Sequence, residues 1–160
     1  MKPTTLVFPI DEQNRILLGR KKRGFGANKY NGFGGKLDDG ESFRECAIRE
    51  LYEESGLQGR VEDLEFPFDE SLTHVSYVYF LRTLTGTVEE TDEMEPHWLE
   101  PNQIPYEHMW DGDRRWLPML LEGKKLKGPI VFGRDNNMVD KMDLTTVDTV
   151  LESEHLYING

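Results

Sequence analysis

The chain has 160 residues, a formal net charge of -11 at pH 7 and a sequence pI near 4.8. That length suits one domain with a core of its own, free of metal or disulfide staples. A surface this acidic repels a nucleic-acid duplex or an anionic membrane, so neither is expected as a stable partner, whereas a small nucleotide carried with its cation is compatible.

Residues 4–10 and 15–20 are β-branched or leucine-rich runs on either side of residues 11–14, and read as a β-hairpin. The apolar stretch after Lys2 is short and broken by Pro3, Pro9 and Asp11, so no secretory signal is expected. No stretch approaches the roughly 18 apolar residues that a spanning helix needs. The single cysteine, Cys46, rules out an intramolecular disulfide. It suits a reducing compartment, so a soluble cytoplasmic protein is expected, and a monomer. Residues 21–36 are glycine-rich and read as a loop. Its lysines and arginine form the main local concentration of positive charge, where a triphosphate tail would be neutralised. Phe25, Tyr30 and Phe33 within it point to a binding site, because a merely flexible loop has no use for them.

Residues 35–57, GKLDDGESFRECAIRELYEESGL, carry the densest information. With U for a bulky apolar residue they fit G-x5-E-x7-R-E-U-x-E-E-x-G-U at Gly35, Glu41, Arg49, Glu50, Leu51, Glu53, Glu54, Gly56 and Leu57. With each specified polar type or glycine at roughly 5–7% of ordinary protein, chance gives this match about once in many millions of windows. Ser42 followed by Glu45 is a capping box and Gly56 a helix stop, so the spacing predicts a helix over residues 43–55. Phe43, Ala47 and Leu51 define its apolar stripe; Glu50 and Glu54 fall beside or within that stripe and Glu53 at its edge. Carboxylates half-withdrawn from water repel one another and call for a cation. An all-oxygen set suits Mg²⁺, with Mn²⁺ as substitute, and such a cation shares its shell with substrate phosphate.

Further along, residues 60–68 and 73–83 alternate as strands of an antiparallel or mixed sheet. The acidic run 87–96, TVEETDEMEP, reads from its residues alone as a solvated loop. Trp98, Leu99, Ile104 and Pro105 resume apolar packing. Residues 116–121 form the core face of a second helix, with Asp113 available as cap and Pro118 obscuring its start. Short strands are expected near 129–133 and 138–142, and residues 151–160 read as a polar tail behind a single domain over 1–150.

Residues 35–57 are similar to the signature box of the Nudix hydrolases. That resemblance implies an α/β fold, an α/β/α sandwich with a mixed central sheet and a loop-helix-loop metal site. It implies metal binding by Glu50, Glu53 and Glu54 with a backbone carbonyl near Gly34, and an orienting role for Glu41 and Arg49. Outside the box, LLGRKKRGFGANKYNGFGGK, TDEMEPHW, IPYEHMWDGDRRWLPMLL and VDTV resemble the MutT-type branch that hydrolyses oxidised purine nucleoside triphosphates. Carried over, that branch implies that Asn31 bonds the purine edge, Trp110 stacks on the base and Asp113 reads its Watson–Crick face. Thr5, Lys21 and Phe33 would belong to the same substrate site, with Phe25 closing it. Glu93 would be a further metal ligand or would position the attacking water, which overturns the bland reading of the acidic run. Glu53 and Glu93 are the candidates for the base.

Two departures from the branch stand out. Its tryptophan is followed, after one residue, by two adjacent aspartates, whereas here Asp111, Gly112 and Asp113 follow Trp110, and Asp111 either reaches in or faces solvent. Tyr30 stands where the branch has tryptophan. Other nucleotides as substrates, namely general dNTPs, dinucleoside polyphosphates or an RNA 5′ end, are the alternative within the family, and a non-catalytic nucleotide-sensing module the alternative outside enzymology.

Overall fold

The computed structural model describes residues 3–69, 76–128, 130–132, 139–142, 144–150 and 152. Strands β1 (Thr4–Pro9) and β2 (Ile16–Lys21) are joined by a turn held on Asp11, whose Oδ1 accepts from the N–H groups of Gln13 and Arg15. The expected hairpin does not form beyond this turn. One isolated bridge, Ile10 to Ile16, links the two strands before they part into different sheets. The edge of β1 that β2 would occupy is taken by the glycine-rich segment: Val7 bridges Phe33, Thr4 bridges Lys36, and Thr5 N–H donates to Gly35 O at 3.0 Å. Residues 21–36 are therefore more than a loop. Part of them lines β1, and β3 (Tyr30–Asn31) pairs antiparallel with β2.

Beyond helix α1 (Phe43–Ser55) come β4 (Leu64–Asp69) and β5 (Ser76–Leu81), the latter running parallel to β1 in the register Thr4–Ser76 to Pro9–Leu81. Residues 73–75 of the longer strand expected there lie outside the described residues. Residues 94–96 of the acidic run open β6 (Met94–Leu99), which pairs antiparallel with β2 along its whole length. Helix α2 (Asp113–Leu121) starts three residues before the expected core face. Its N-cap is Gly112, at φ 99°, and Asp113 is the first helical residue instead of the cap. Four short strands follow: β7 (Lys125–Lys127), β8 (Ile130–Phe132), β9 (Val139–Met142) and β10 (Thr145–Val147). The first sheet is mixed, in the order β1-β5-β4-β7-β10, and the second is β3-β2-β6. In the reach after Val150, Glu152 is not a free polar residue: it takes two bonds from Arg44 of α1, at 2.8 and 2.9 Å, and one from the Tyr79 hydroxyl at 2.7 Å.

The pleat sorts side chains to two opposite cores. Val7, Leu17, Tyr77, Tyr79 and Leu81 pack with Phe43, Ala47 and Leu51 of α1, while Phe8, Ile16, Leu18, Val78 and Phe80 pack with Trp116, Leu117 and Leu120 of α2. Neighbouring residues of one strand thus serve different helices, which is the α/β/α layering.

Candidate active site

Helix α1 is fixed at both ends by its own sequence. Ser42 Oγ accepts from Glu45 N–H at 3.0 Å while the Glu45 carboxylate accepts from Ser42 N–H at 2.9 Å; Gly56, at φ 81°, ends the helix in the left-handed region. Phe43, Cys46, Ala47, Leu51 and Ser55 are buried, so the register leaves Glu50 and Glu54 at the border of the core and turns Glu53 outward. Both border carboxylates lie against the segment bonded to β1. Glu54 Oε1 accepts from Gly34 N–H at 2.9 Å. A Cβ on Gly35 would stand 2.6 Å from Glu50 Oε1, and one on Gly34 would stand 1.8 Å from the carbonyl oxygen of Thr5, so the paired glycines let backbone, β1 and carboxylates meet.

Burial raises the pKa of Glu54 to about 8, and the charge on Glu50 adds to the shift; burial also raises Glu50. Two carboxylates short of solvent and short of positive charge make a cation-seeking place. Arg49 answers part of that demand. Its guanidinium grips Glu41 with two bonds, at 2.7 and 3.0 Å, and reaches Glu50 at 3.0 Å, Glu53 at 3.3 Å and the Lys36 carbonyl at 3.2 Å. Its pKa is raised by the bond to Glu41. Among the described residues, no three His, Cys, Asp or Glu side chains already stand as a closed metal cage. The donors nonetheless fit a hard divalent cation, because Glu50, Glu53, Glu54 and the nearby backbone offer oxygen alone. Arg49 thereby ties Glu41, Glu50 and Glu53 together.

A depression of about 230 Å³ opens directly beside Glu54, with Gly34 and Gly35 in its wall. Thr5, Lys21, Phe25, Asn31 and Trp110 line it, so seven of the expected site residues, counting Gly34 and Glu54, meet there. Leu6, Lys29 and Met94 also line it and were not singled out from the sequence. Met94 follows Glu93 in the acidic run, and Lys29 lies in the basic stretch; their approach to one cavity needed the pairing of β2 with β3 and β6. Phe25 and Trp110 face each other with ring centroids 5.2 Å apart, and the Lys29 ammonium stands 5.0 Å from the Trp110 ring. Gly26, at φ 84°, permits that approach, since a Cβ there would meet the indole at 2.9 Å. Asn31 Oδ1 accepts from Gly32 N–H at 2.9 Å, which directs its amide N–H donors elsewhere. Buried Thr5 places its hydroxyl 3.3 Å from Cys46 Sγ, and burial pushes that thiol up to about 12.

Of the expected site residues, Arg49, Glu50 and Glu53 on α1, together with Phe33, Glu93, Asp111 and Asp113, stand outside this cavity lining. Phe33 is fully buried in the core beneath Gly19 and Met94, so it supports the wall and does not face the cavity. Asp111 is half-buried, and Asp113, 5% exposed, sits in the first turn of α2, where its N–H donates to the Trp110 carbonyl at 3.2 Å. Glu93 lies just before β6, and its Oε1 accepts from Arg23 Nη2 and Nε at 2.6 and 2.9 Å, while it remains within electrostatic reach of Glu54. A larger depression, about 430 Å³, lies far from this chemistry around Ile10, Tyr106, Pro118 and Leu121.

Residues 1–120 match the family model described as the NUDIX domain. The chain belongs to the Nudix family. Nudix hydrolases depend on a divalent metal, and this protein is a hydrolase of that family. It is 40% identical over 150 residues to the oxidized purine nucleoside triphosphate hydrolase of Mus musculus, covering 91% of this chain and 95% of that protein. The protein of the same name from Danio rerio is 40% identical over 149 residues, covering 89% and 94%. Among solved structures, a mutator MutT protein from Bacillus halodurans shares the fold with a TM-score of 0.75 at 20% identity, over 90% of this chain and 97% of that one. No helix among the described residues of this Nudix hydrolase is long and apolar enough to cross a membrane.

Proposed function

We propose that this enzyme hydrolyses oxidised purine nucleoside triphosphates such as 8-oxo-dGTP to the monophosphate and pyrophosphate, with Mg²⁺ as its metal and Mn²⁺ as substitute. The observation that carries the reading is the contact between two kinds of surface: the aromatic and amide lining of Trp110, Phe25 and Asn31 runs directly into the half-buried carboxylate Glu54. An indole face stacks on a base, an amide offers donors to a purine edge, and the carboxylates serve the phosphate end. The 40% identical relatives named for this substrate class support the same reading.

In this scheme Glu50, Glu53, Glu54 and a backbone carbonyl near Gly34 would hold the cation, with Glu93 as a further ligand. The bound cation would neutralise phosphate charge and lower the pKa of the attacking water. Glu53, with a side chain 55% exposed and Arg49 at 3.3 Å, takes the proton as that water forms its bond to phosphorus and the phosphoanhydride bond breaks. Lys21 places a positive charge at the same wall. Trp110 holds the base, Asn31 bonds its edge, and Asp113 is assigned to the Watson–Crick face from the resemblance of its segment to the MutT-type branch. Removing such a nucleotide before a polymerase uses it would be sanitation of the nucleotide pool, in the cytoplasm.

Chromatography of products after incubation with Mg²⁺ and 8-oxo-dGTP tests the reading. Monophosphate and pyrophosphate in equal amounts are expected. Turnover of other nucleotides alone would move the enzyme to another Nudix substrate class, and binding with no turnover of any nucleotide would make it a sensing module.

A further inference from the structure

One strap joins the metal-side helix to the base-side loop. Glu89 N–H donates to the last carbonyl of α1, Ser55 O, at 2.7 Å, and Thr91 Oγ1 lies 3.5 Å from Glu54 O. From the same strap, Glu93 holds Arg23 through Nε and Nη2, and Glu93 O accepts from Lys22 N–H at 2.9 Å. Lys22 Nζ adds bonds to Glu90 at 2.6 Å and to Thr91 O at 3.0 Å. Two residues past Arg23 the chain reaches Phe25, which lies on Trp110.

The Arg23–Glu93 pair is open to solvent, with side chains 65% and 48% exposed. An ion pair in that setting is weak and exchanges partners at low cost. A cation beside Glu54 together with a triphosphate offers each member a better one. The carboxylate gains a divalent charge, and the guanidinium gains a phosphate whose oxygens match its planar donors.

We propose that Arg23 is a positioning residue that holds Glu93 off the metal cluster in the free enzyme and releases it when substrate phosphate arrives to take the guanidinium. This rests on the reading of Glu93 as a metal-side carboxylate. The exchange conserves charge on both sides and couples the two halves of the site, so metal and nucleotide each strengthen the binding of the other by the same factor.

The test titrates Mn²⁺ alone into the nucleotide-free enzyme, by proton relaxation, for wild type, Arg23→Gln, Arg23→Lys and Glu93→Gln, and measures steady-state kinetics on the same samples. For Arg23→Gln, Mn²⁺ binding should tighten by about threefold or more and KM for the triphosphate rise about tenfold, the scale of one charge-assisted hydrogen bond, with a smaller change in kcat. Arg23→Lys, which keeps the charge and loses the fork, should recover most of both values. Glu93→Gln should weaken Mn²⁺ binding and lower kcat. If Arg23→Gln leaves Mn²⁺ affinity and KM unchanged, or weakens Mn²⁺ binding, while Glu93→Gln behaves as stated, the exchange is overturned and the site stands. If Glu93→Gln alters neither Mn²⁺ affinity nor kcat, the reading of Glu93 falls and the exchange with it.

Discussion

Glu50, Glu53 and Glu54 come from little more than one turn of a single helix, whereas Lys21, Phe25, Asn31 and Trp110 come from separate segments that meet only after two sheets have formed. The spacing of the first group is set by 100° per residue and locked by the Ser42–Glu45 box and Gly56. The second group is held by loop contacts: Lys21 Nζ on the Phe25 carbonyl at 2.7 Å, and Phe25 on Trp110. A helix-borne set leaves little room for variation, so it keeps one reaction. A set gathered from strand ends and loops changes by single residues, and this is where the chain departs from its branch, at Tyr30 and Gly112.

If the helix carries the chemistry, its loss is the largest effect. Glu53→Gln should lower kcat by about 10²–10⁴, the usual worth of a positioned base, with circular dichroism and Tm unchanged; an unchanged kcat would remove the metal side from the comparison. Gly34→Ala should follow, losing both Tm and kcat, because its Cβ meets the backbone oxygen of Thr5 at 1.8 Å. Gly35→Ala should keep Tm and weaken Mg²⁺ binding, since its Cβ meets only the movable end of Glu50. Equal Tm losses for the two would deny that the segment is wedged between β1 and α1.

On the base side, Trp110→Ala should cost about tenfold to a hundredfold in kcat/KM, the worth of one stacked base, while Mg²⁺ half-saturation stays put. A parallel change in both would mean that the two halves are not separable. The smallest expected effect is on stability against pH. Glu54 in the metal-free fold has its pKa raised by burial to about 8, from an ordinary value of 4.5. The folded state therefore holds more protons than the unfolded state between those values, and stability falls as pH rises through that window. Denaturant midpoints across this range should show the decline, Glu54→Gln should flatten it, and Mg²⁺ should oppose it; a wild-type curve matching that of the variant would place Glu54 in solvent.

What was legible in the sequence follows the same division. The helix over residues 43–55, its caps and the partial burial of Glu50 and Glu54 could be read because each depends on residues within a few positions. The hairpin of residues 4–20 could not, because the competitor for the edge of β1 is residues 33–36, and no local pattern announces that pairing. Phe33 looked like a cavity aromatic for the same reason: its partners, Gly19 and Met94, come from β2 and β6. Trp110 and Asn31 were visible only through resemblance. Lys29 was signalled only as one charge of the basic stretch, and Met94 had no signal apart from the sheet that brings it in. Gly112 sits at φ 99°, where an L side chain is strained, so the aspartate absent from the pair is tied to the backbone that starts α2.

The selectivity assigned to this cavity is tested most directly by kcat/KM for 8-oxo-dGTP and dGTP measured side by side at saturating Mg²⁺, since the two share every phosphate contact and differ only in the base. A ratio of about tenfold or more in favour of the oxidised nucleotide is expected, the discrimination available from one well-placed hydrogen bond. Equal values would contradict the assignment and leave a phosphate site indifferent to the base it carries.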